Sequence, residues 1–399
     1  MSNVFLARQN KIFKKLSSLR ISAAVIKDFE GCRNSSIRYL TGHPQDAVLF
    51  IFAKGATLLV PWDINLAKKN ACCAEIIPYT EFNRNFSDTV VSVFSGETSP
   101  SFLKYMAKEM AKNSSPKKPV NEKIMFSESS SWLEIESLKK LMPDKNIVCM
   151  QDGIDSILNN NRMIKDRTEI SIYKKAAKIT NKIIDALEKY IKKSVDKSSR
   201  PITETEIALF LEKTIRKNRA EGTGFETIVA GNERSWAIHP CPAFSSSPIT
   251  KTGTTIIDFG VKYQGYTTDV TITVAGKKLT AKQKEIIDIV NKAAGKAEKL
   301  LKPGVSAASV SENITKFFSQ SGYTMPHSLG HGIGLDAHES PVLKSSNENS
   351  QLLKPGMVIA LEPGLYDSLH GGVRLENDYL ITKNGCEKLT NARIIFLGD

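Results

Sequence analysis

Apolar positions recur with two different periods along the chain, and the balance between them shifts part-way. Residues 4–19 repeat apolar side chains at helical spacing. Ile21–Ile26 (ISAAVI), Ala47–Phe52 (AVLFIF) and Ala56–Val60 (ATLLV) are short apolar runs that predict strands. SSSWLEIESLKKLM predicts a helix opened by serine, and NIVCM a short strand after it. Helices and strands in alternation predict an α/β domain over residues 1–155. Within it Asn113–Val120 (NSSPKKPV), rich in Ser, Pro and Lys, reads as an exposed loop.

A boundary falls near residues 152–161, where the pattern changes. Lys165–Lys192 is a long helical stretch with apolar residues at Ile170, Ala177, Ile184 and Leu187. Thr203–Arg219 predicts a second helix, with Thr203 and Glu206 spaced for a capping box. The strand-like TTIIDFG and DVTITVAG follow, then helices over Ala281–Leu301 and Ala307–Ser321. The end is strand-rich: MVIALEPGLY, GGVRLENDYLIT and ARIIFL. This predicts an α+β domain over residues 160–399, with helices packed on antiparallel strands. Two domains also suit a chain of 399 residues, since single cores stop growing near ~250–300.

Composition narrows the class. The chain is 41% hydrophobic and 24% charged, with no apolar run of the ~18 residues that a membrane span needs. MSNVFLARQNKIFKKL reads as an amphipathic helix rather than a signal peptide, so a cytoplasmic location is expected. The six cysteines form no CxxC pair and are expected as scattered reduced thiols. Cys241 lies two residues from His239 and could line a site, although a small buried apolar side chain is the plainer expectation. The net charge of +13 raises a nucleic-acid hypothesis. The lysines alternate with acids on helical patterns, however, and no arginine-rich block with interleaved aromatics is present. A solvated surface is expected instead, with no nucleic-acid partner.

The chemistry concentrates in the C-terminal half. Four of the six histidines, His239, His327, His331 and His338, lie there in glycine- or proline-containing segments. HSLGHGIGLDAHE is too glycine-rich for a helix and reads as a loop or irregular strand. Asp258 and Asp269 each interrupt an apolar strand, and the turn between them can bring the two face to face. Glu362 and Glu376 repeat this arrangement across a glycine-rich link. Buried carboxylates need a cation or must share a proton. Four carboxylates plus an imidazole form a hard, oxygen-rich set that suits two Mn, Co or Zn ions better than one structural zinc.

These motifs are recognisable together. The chain resembles the proline-specific metallopeptidases of the pita-bread fold, the Xaa-Pro dipeptidases (prolidases) and Xaa-Pro aminopeptidases. The segments that carry the resemblance are NRMIKDRTEISIYKKAAKIT, GFETIVAGNERSWAIHP, DFGVKYQGYTTDVT, HSLGHGIGLDAHE, LEPGLY and GGVRLEND, in that order. SSIRYLTGHPQDAVLFI resembles the family's smaller, creatinase-like N-terminal domain. The resemblance implies two divalent ions, manganese first among Mn, Co and Zn. Asp258 would bind one ion, His331 and Glu362 the other, and Asp269 and Glu376 would bridge both, with a water or hydroxide between them as nucleophile. His239 and His338 would bind substrate and stabilise the tetrahedral intermediate. His327 would sit on the substrate side or behind the ligands, and Arg374 would hold a carboxylate in place. The substrate would be a peptide and the assembly a homodimer. Ile272 and Asn377 depart from residues that many members carry, an arginine and an acid, neither of them a ligand.

Other readings predict different features. A non-catalytic binding protein, or a creatine-type amidinohydrolase, would lack part of the five-residue ligand set. A methionine aminopeptidase would usually lack so large an N-terminal domain. The choice between dipeptidase and aminopeptidase stays open, as does Trp236, read either as an apolar wall of the site or as a core residue.

Overall fold

The computed structural model describes residues 2–95, 123–197, 201–249, 252–345 and 350–398. The loop expected at Asn113–Val120 lies outside them. The chain forms two compact units, Met1–Asn161 and Arg162–Asp399.

The first unit is a six-stranded mixed sheet with helices. Its spatial order is Glu75–Ile76, Ala56–Pro61, Ala47–Phe52, Ala23–Asp28, Lys123–Phe126 and Asn146–Cys149. The three strands read from apolar runs pair antiparallel, with Val25 opposite Phe50 and Phe50 opposite Leu58. All three are buried along their whole length, which is why they read as continuous apolar runs rather than as alternating ones. The serine start signal is seen as Ser131, which caps the helix Trp132–Leu141 in a reciprocal capping box with Glu134. The helix expected over 4–19 spans Ser2–Ser18.

The second unit holds the chemistry. Its long helix runs Arg167–Lys197, and Ala177, Ile184 and Leu187 on it are buried. The helix Glu204–Lys217 opens with both bonds of the Thr203–Glu206 capping box. Two further helices, Ala281–Leu300 and Ala307–Gln320, pack on each other and into the same core. One sheet has the order Ile394–Phe396, Val270–Ala275, Thr254–Phe259 and Ile228–Ala230. Its strands are antiparallel except for Val270–Ala275 against Ile394–Phe396, which is parallel. Another has the order Glu339–Leu343, Gly330–Gly332, Val358–Leu361, Asn377–Ile381 and Cys386–Lys388, all antiparallel. A hairpin of Gly364–Asp367 with Gly371–Arg374 lies in sequence between the strands Val358–Leu361 and Asn377–Ile381.

One expectation is corrected here. Cys241 is exposed, not a buried apolar filler, because it lies in a stretch from residue 231 to 249 that carries no helix or strand.

Candidate metal centre

Each acid reaches the centre because a strand ends or turns at it. Asp258 lies in the strand Thr254–Phe259, directly opposite Thr271. The chain then leaves through Val261–Tyr263, turns at Gln264 and Gly265 (φ 49° and 86°), and returns through Tyr266–Thr267. Left-handed φ at both central residues is the geometry of a tight hairpin. Asp269 follows, one residue before the strand Val270–Ala275 begins. Glu362 directly follows Val358–Leu361, and Glu376 directly precedes Asn377–Ile381. These strands pair Leu361 with Asn377, so the two glutamates emerge at one end of the same ladder.

His331 sits mid-strand in Gly330–Gly332, where the pairing with Glu339–Leu343 slips at a bulge between His331 and Gly332. A Cβ at Gly332 would lie 2.0 Å from the Ser340 carbonyl oxygen, and one at Gly330 would lie 2.2 Å from that of Ala360. Side chains at either position would push the neighbouring strands away from His331.

The sequence-predicted residues converge. Donor atoms of Asp258, Asp269 and Glu376 lie within 4.8 Å of one another, as do those of His331, Glu362 and Glu376, and those of Asp269, His331 and His338. His331 Nε2 is 3.8 Å from Asp269 Oδ2 and 3.7 Å from Glu362 Oε1. His331 Nδ1 lies 3.0 Å from the Gly332 carbonyl; donating its proton there leaves the Nε2 lone pair facing the carboxylates. The His338 ring is 4.4 Å from that of His331.

Asp258 and Asp269 are 7% and 5% exposed, His331 5% and Glu376 2%, so water cannot screen them. Burial raises Asp269 and Glu376 well above the usual carboxylate range, and the neighbouring carboxylates raise them further. Burial likewise pushes Glu362 up to about 8 against the pull of Arg374, and pushes Asp378 up to about 8. Burial drives His331 down to about 4, with His338 adding to the effect.

Arg374 ties the centre together. Its Nη2 donates to Asp258 Oδ2 at 2.7 Å, its Nε to Thr271 Oγ1 at 3.0 Å, and its Nη1 to the Tyr366 hydroxyl at 2.8 Å and the Ile238 carbonyl at 3.2 Å. Thr271 Oγ1 in turn donates to Glu376 Oε2 at 2.8 Å. His327 Nε2 meets the Tyr366 hydroxyl at 3.0 Å, and its Nδ1 lies 3.7 Å from Glu362 Oε2. Burial depresses His327 to about 4. His239 and Trp236 are exposed, Trp236 by 48%, so this tryptophan is not a core residue.

Three groups were missed from sequence. Asp378 is fully buried and accepts from the Asp269 backbone N–H at 3.1 Å, yet it looked like one more acid in a strand. Tyr366 bridges His327 and Arg374. Glu339, beside His338, is paired with Lys165 at 3.0 Å and with Arg162. Burial opposes its ionisation, but the two cations outweigh this and hold it down to about 2.

The donor set fits divalent ions. It is a hard set of carboxylate oxygens and one imidazole nitrogen. Asp258 Oδ1 is buried with no hydrogen-bond partner among the described residues, which is costly unless a cation satisfies it.

Comparison with known proteins supplies the family. The pattern of metallopeptidase family M24 matches residues 171–383, more than half of the chain. The chain belongs to metallopeptidase family M24. It is 36% identical over 258 residues to an Xaa-Pro dipeptidase of Pyrococcus horikoshii, covering 64% of this chain and 69% of that one. The fold matches the crystal structure of a prolidase from Pyrococcus horikoshii with a TM-score of 0.78 at 28% identity, covering 97% of this chain and 99% of the other. It also matches an X-Pro aminopeptidase from Thermotoga maritima with a TM-score of 0.76 at 26% identity, covering 97% and 99%. The family resemblance and the fold class expected from the motifs are both borne out: an α/β unit precedes an α+β unit of the pita-bread fold. As an M24 enzyme, the protein is a metallopeptidase, and the family implies divalent metal ions. Among the described residues no helix is long and apolar enough to cross a membrane.

The raised carboxyls set the sign of a pH effect. Glu362 and Asp378 both titrate near 8 in the folded chain, against 4.5 and 3.8 ordinarily. Their contribution is fully present below the ordinary values and is lost as pH rises toward the folded values. In thermal melts with a chelator, the melting temperature should therefore fall between pH about 5 and about 8. Added Mn2+ should flatten that slope; a chelated protein that gains stability over this window would contradict the assignment.

Proposed function

We propose that this M24 enzyme hydrolyses the peptide bond that precedes proline, in Xaa-Pro dipeptides or at the N-terminus of short Xaa-Pro peptides. The observation that supports the reading is the unpartnered, buried Asp258 Oδ1 in one cluster with Asp269, Glu362 and Glu376, a set of carboxylates that calls for a cation. Asp258, Asp269, His331, Glu362 and Glu376 would hold two divalent ions, manganese by preference. Bound there, such ions polarise a carbonyl and bring the pKa of a coordinated water to roughly 7.

The chain's own groups do the rest. Arg374 and Thr271 fix one oxygen each of Asp258 and Glu376, so their remaining oxygens point to the centre. His338, whose ring lies 4.4 Å from that of His331, and His239, both exposed, would receive substrate and donate to its carbonyl oxygen as charge develops. His327 is held neutral by burial and anchored to Tyr366, which favours a hydrogen-bonding role over a charged one.

A bond before proline has a tertiary amide nitrogen and no N–H. A peptidase that needs a donor there fails on it; activation through the carbonyl does not need one. Trp236, half-exposed near His239, offers an apolar face for a pyrrolidine ring. Similarity to both a dipeptidase and an aminopeptidase supports the proline bond rather than one substrate length. We assign residues 1–155 to the creatinase-like domain and 160–399 to the catalytic domain. The enzyme is further read as a cytoplasmic homodimer, the location resting on six free cysteines.

Asp269→Ala or Glu376→Ala should abolish turnover and remove most bound metal, read by elemental analysis beside a kinetic assay. His338→Ala should instead lower kcat strongly with metal content near wild type. Full turnover and both ions in Asp269→Ala, or loss of an ion in His338→Ala, would mean the roles are wrongly assigned.

Ala-Pro should be cleaved with a much higher kcat/KM than Ala-Ala under the same metal conditions, and an Ala-Pro-Xaa peptide in the same panel separates dipeptidase from aminopeptidase. Equal kcat/KM for Ala-Pro and Ala-Ala would remove the proline assignment while leaving the metal centre intact. Sedimentation at assay concentration should give a dimer; an active monomer would remove that part of the reading.

A further inference from the structure

His239 lies in a stretch, residues 231–249, that has no helix or strand to hold it. A side chain that must meet a substrate from such a loop needs another source of order, because a loop that samples many conformers places its histidine correctly only part of the time. The structure supplies one in Glu204, the first residue of the helix Glu204–Lys217 and 0% exposed. Its Oε1 accepts from the Gly231 backbone N–H at 2.7 Å, where the loop begins. Its Oε2 accepts from the Ser245 backbone N–H at 2.8 Å and from the Ser245 hydroxyl at 2.7 Å, near where the loop ends. The same oxygen pairs with Arg234 Nη1, and Arg234 Nη2 donates to the Pro242 carbonyl. One guanidinium thus spans from residue 234 to residue 242, and His239 lies inside the span. The same segment is tied to the centre by the Ile238 carbonyl, held by Arg374, and by Ser235 Oγ, which accepts from the Gly372 backbone N–H at 3.1 Å.

We infer that Glu204 and Arg234 form a clamp that positions His239 for the substrate, with Arg234 as a positioning residue rather than a catalytic one. The inference rests on the reading of His239 as a substrate-side group. The bland alternative is a structural ion pair that only stabilises the fold. The bonding pattern argues against it. Without Arg234 the buried Glu204 carboxylate keeps three donors, from Gly231 and Ser245, so both ends of the stretch stay tied; losing the cation costs stability, but that cost alone would not single out His239. What is lost is the strut across the stretch that carries His239. Lysine cannot replace it, since one ammonium does not reach two separate acceptors with the planar geometry of a guanidinium.

The test is a double-mutant cycle on the metal-loaded enzyme with Ala-Pro as substrate: wild type, Arg234→Met, His239→Ala and the double variant. Arg234→Met should lower kcat/KM by roughly tenfold to a hundredfold. Metal content should stay near that of wild type, while the melting temperature falls because the buried Glu204 loses its cation. The double variant should be no worse than His239→Ala alone, because a clamp has nothing to position once the imidazole is gone. Arg234→Lys should fall between wild type and Arg234→Met, and it takes the place of the methionine variant in the cycle if that variant does not fold. Losses that multiply in the double variant, or an Arg234→Met enzyme with wild-type kcat/KM, would overturn the clamp while leaving His239 in its role. Wild-type kinetics in His239→Ala would instead overturn the substrate-side reading, and the clamp with it.

Discussion

Asp258, Asp269, Glu362, Glu376 and Asp378 converge where water is largely excluded, and no arrangement of the chain alone can make all five comfortable in their charged form. Among the described residues Arg374 is the one arginine or lysine bonded to them, and its guanidinium reaches only Asp258 directly. Burial and mutual repulsion therefore raise Asp269, Glu362 and Glu376 together. Left empty, the centre has to bind protons; filled by divalent ions, it can release them. Both the folding energetics and the chemistry of the second unit follow from this constraint.

The scaffold meets the constraint by placing donors at strand ends and bulges, where backbone direction can change without breaking the core. Two ladders, Thr254–Phe259 with Val270–Ala275 and Val358–Leu361 with Asn377–Ile381, each deliver two acids. Gly330 and Gly332 allow the strand that carries His331 to lie against its neighbours. Behind the donors, Arg374, Thr271 and Tyr366 form one hydrogen-bonded set, so a change to any of them is felt at several donors at once. On the far side of His338, the pairing of Glu339 with Lys165 and Arg162 fixes the start of the strand that follows.

Much of this was legible in the sequence because it breaks local rules. An acid inside an apolar run, as at Asp258, is costly for the fold, and four such acids together with a glycine-flanked histidine point to one shared chemistry. The serine start signal at Ser131 and the capping box at Thr203–Glu206 were equally readable, each being contained within four residues. What escaped was long-range. Glu204 looks like an ordinary first-turn acid until Arg234 and Ser245 come to it from 30 and 41 residues away. Arg162 and Glu339 are 177 residues apart and carry no local mark. Asp378 sits one residue after Asn377 in a strand and gives no sign that its carboxyl faces Asp269. Cys241 was misread because nothing in its own neighbourhood fixes whether an irregular stretch is covered.

The central claim is that the buried carboxyls are a cation site that holds protons when empty. Calorimetric titration of chelated, dialysed protein with Mn2+ near pH 7, repeated in buffers of different ionisation enthalpy, counts the protons that leave as metal binds. The account predicts a net release of protons on binding, larger at pH 6 than at pH 8, because Glu362 and its neighbours are less protonated at the higher pH. Binding with no proton release across that range would contradict it.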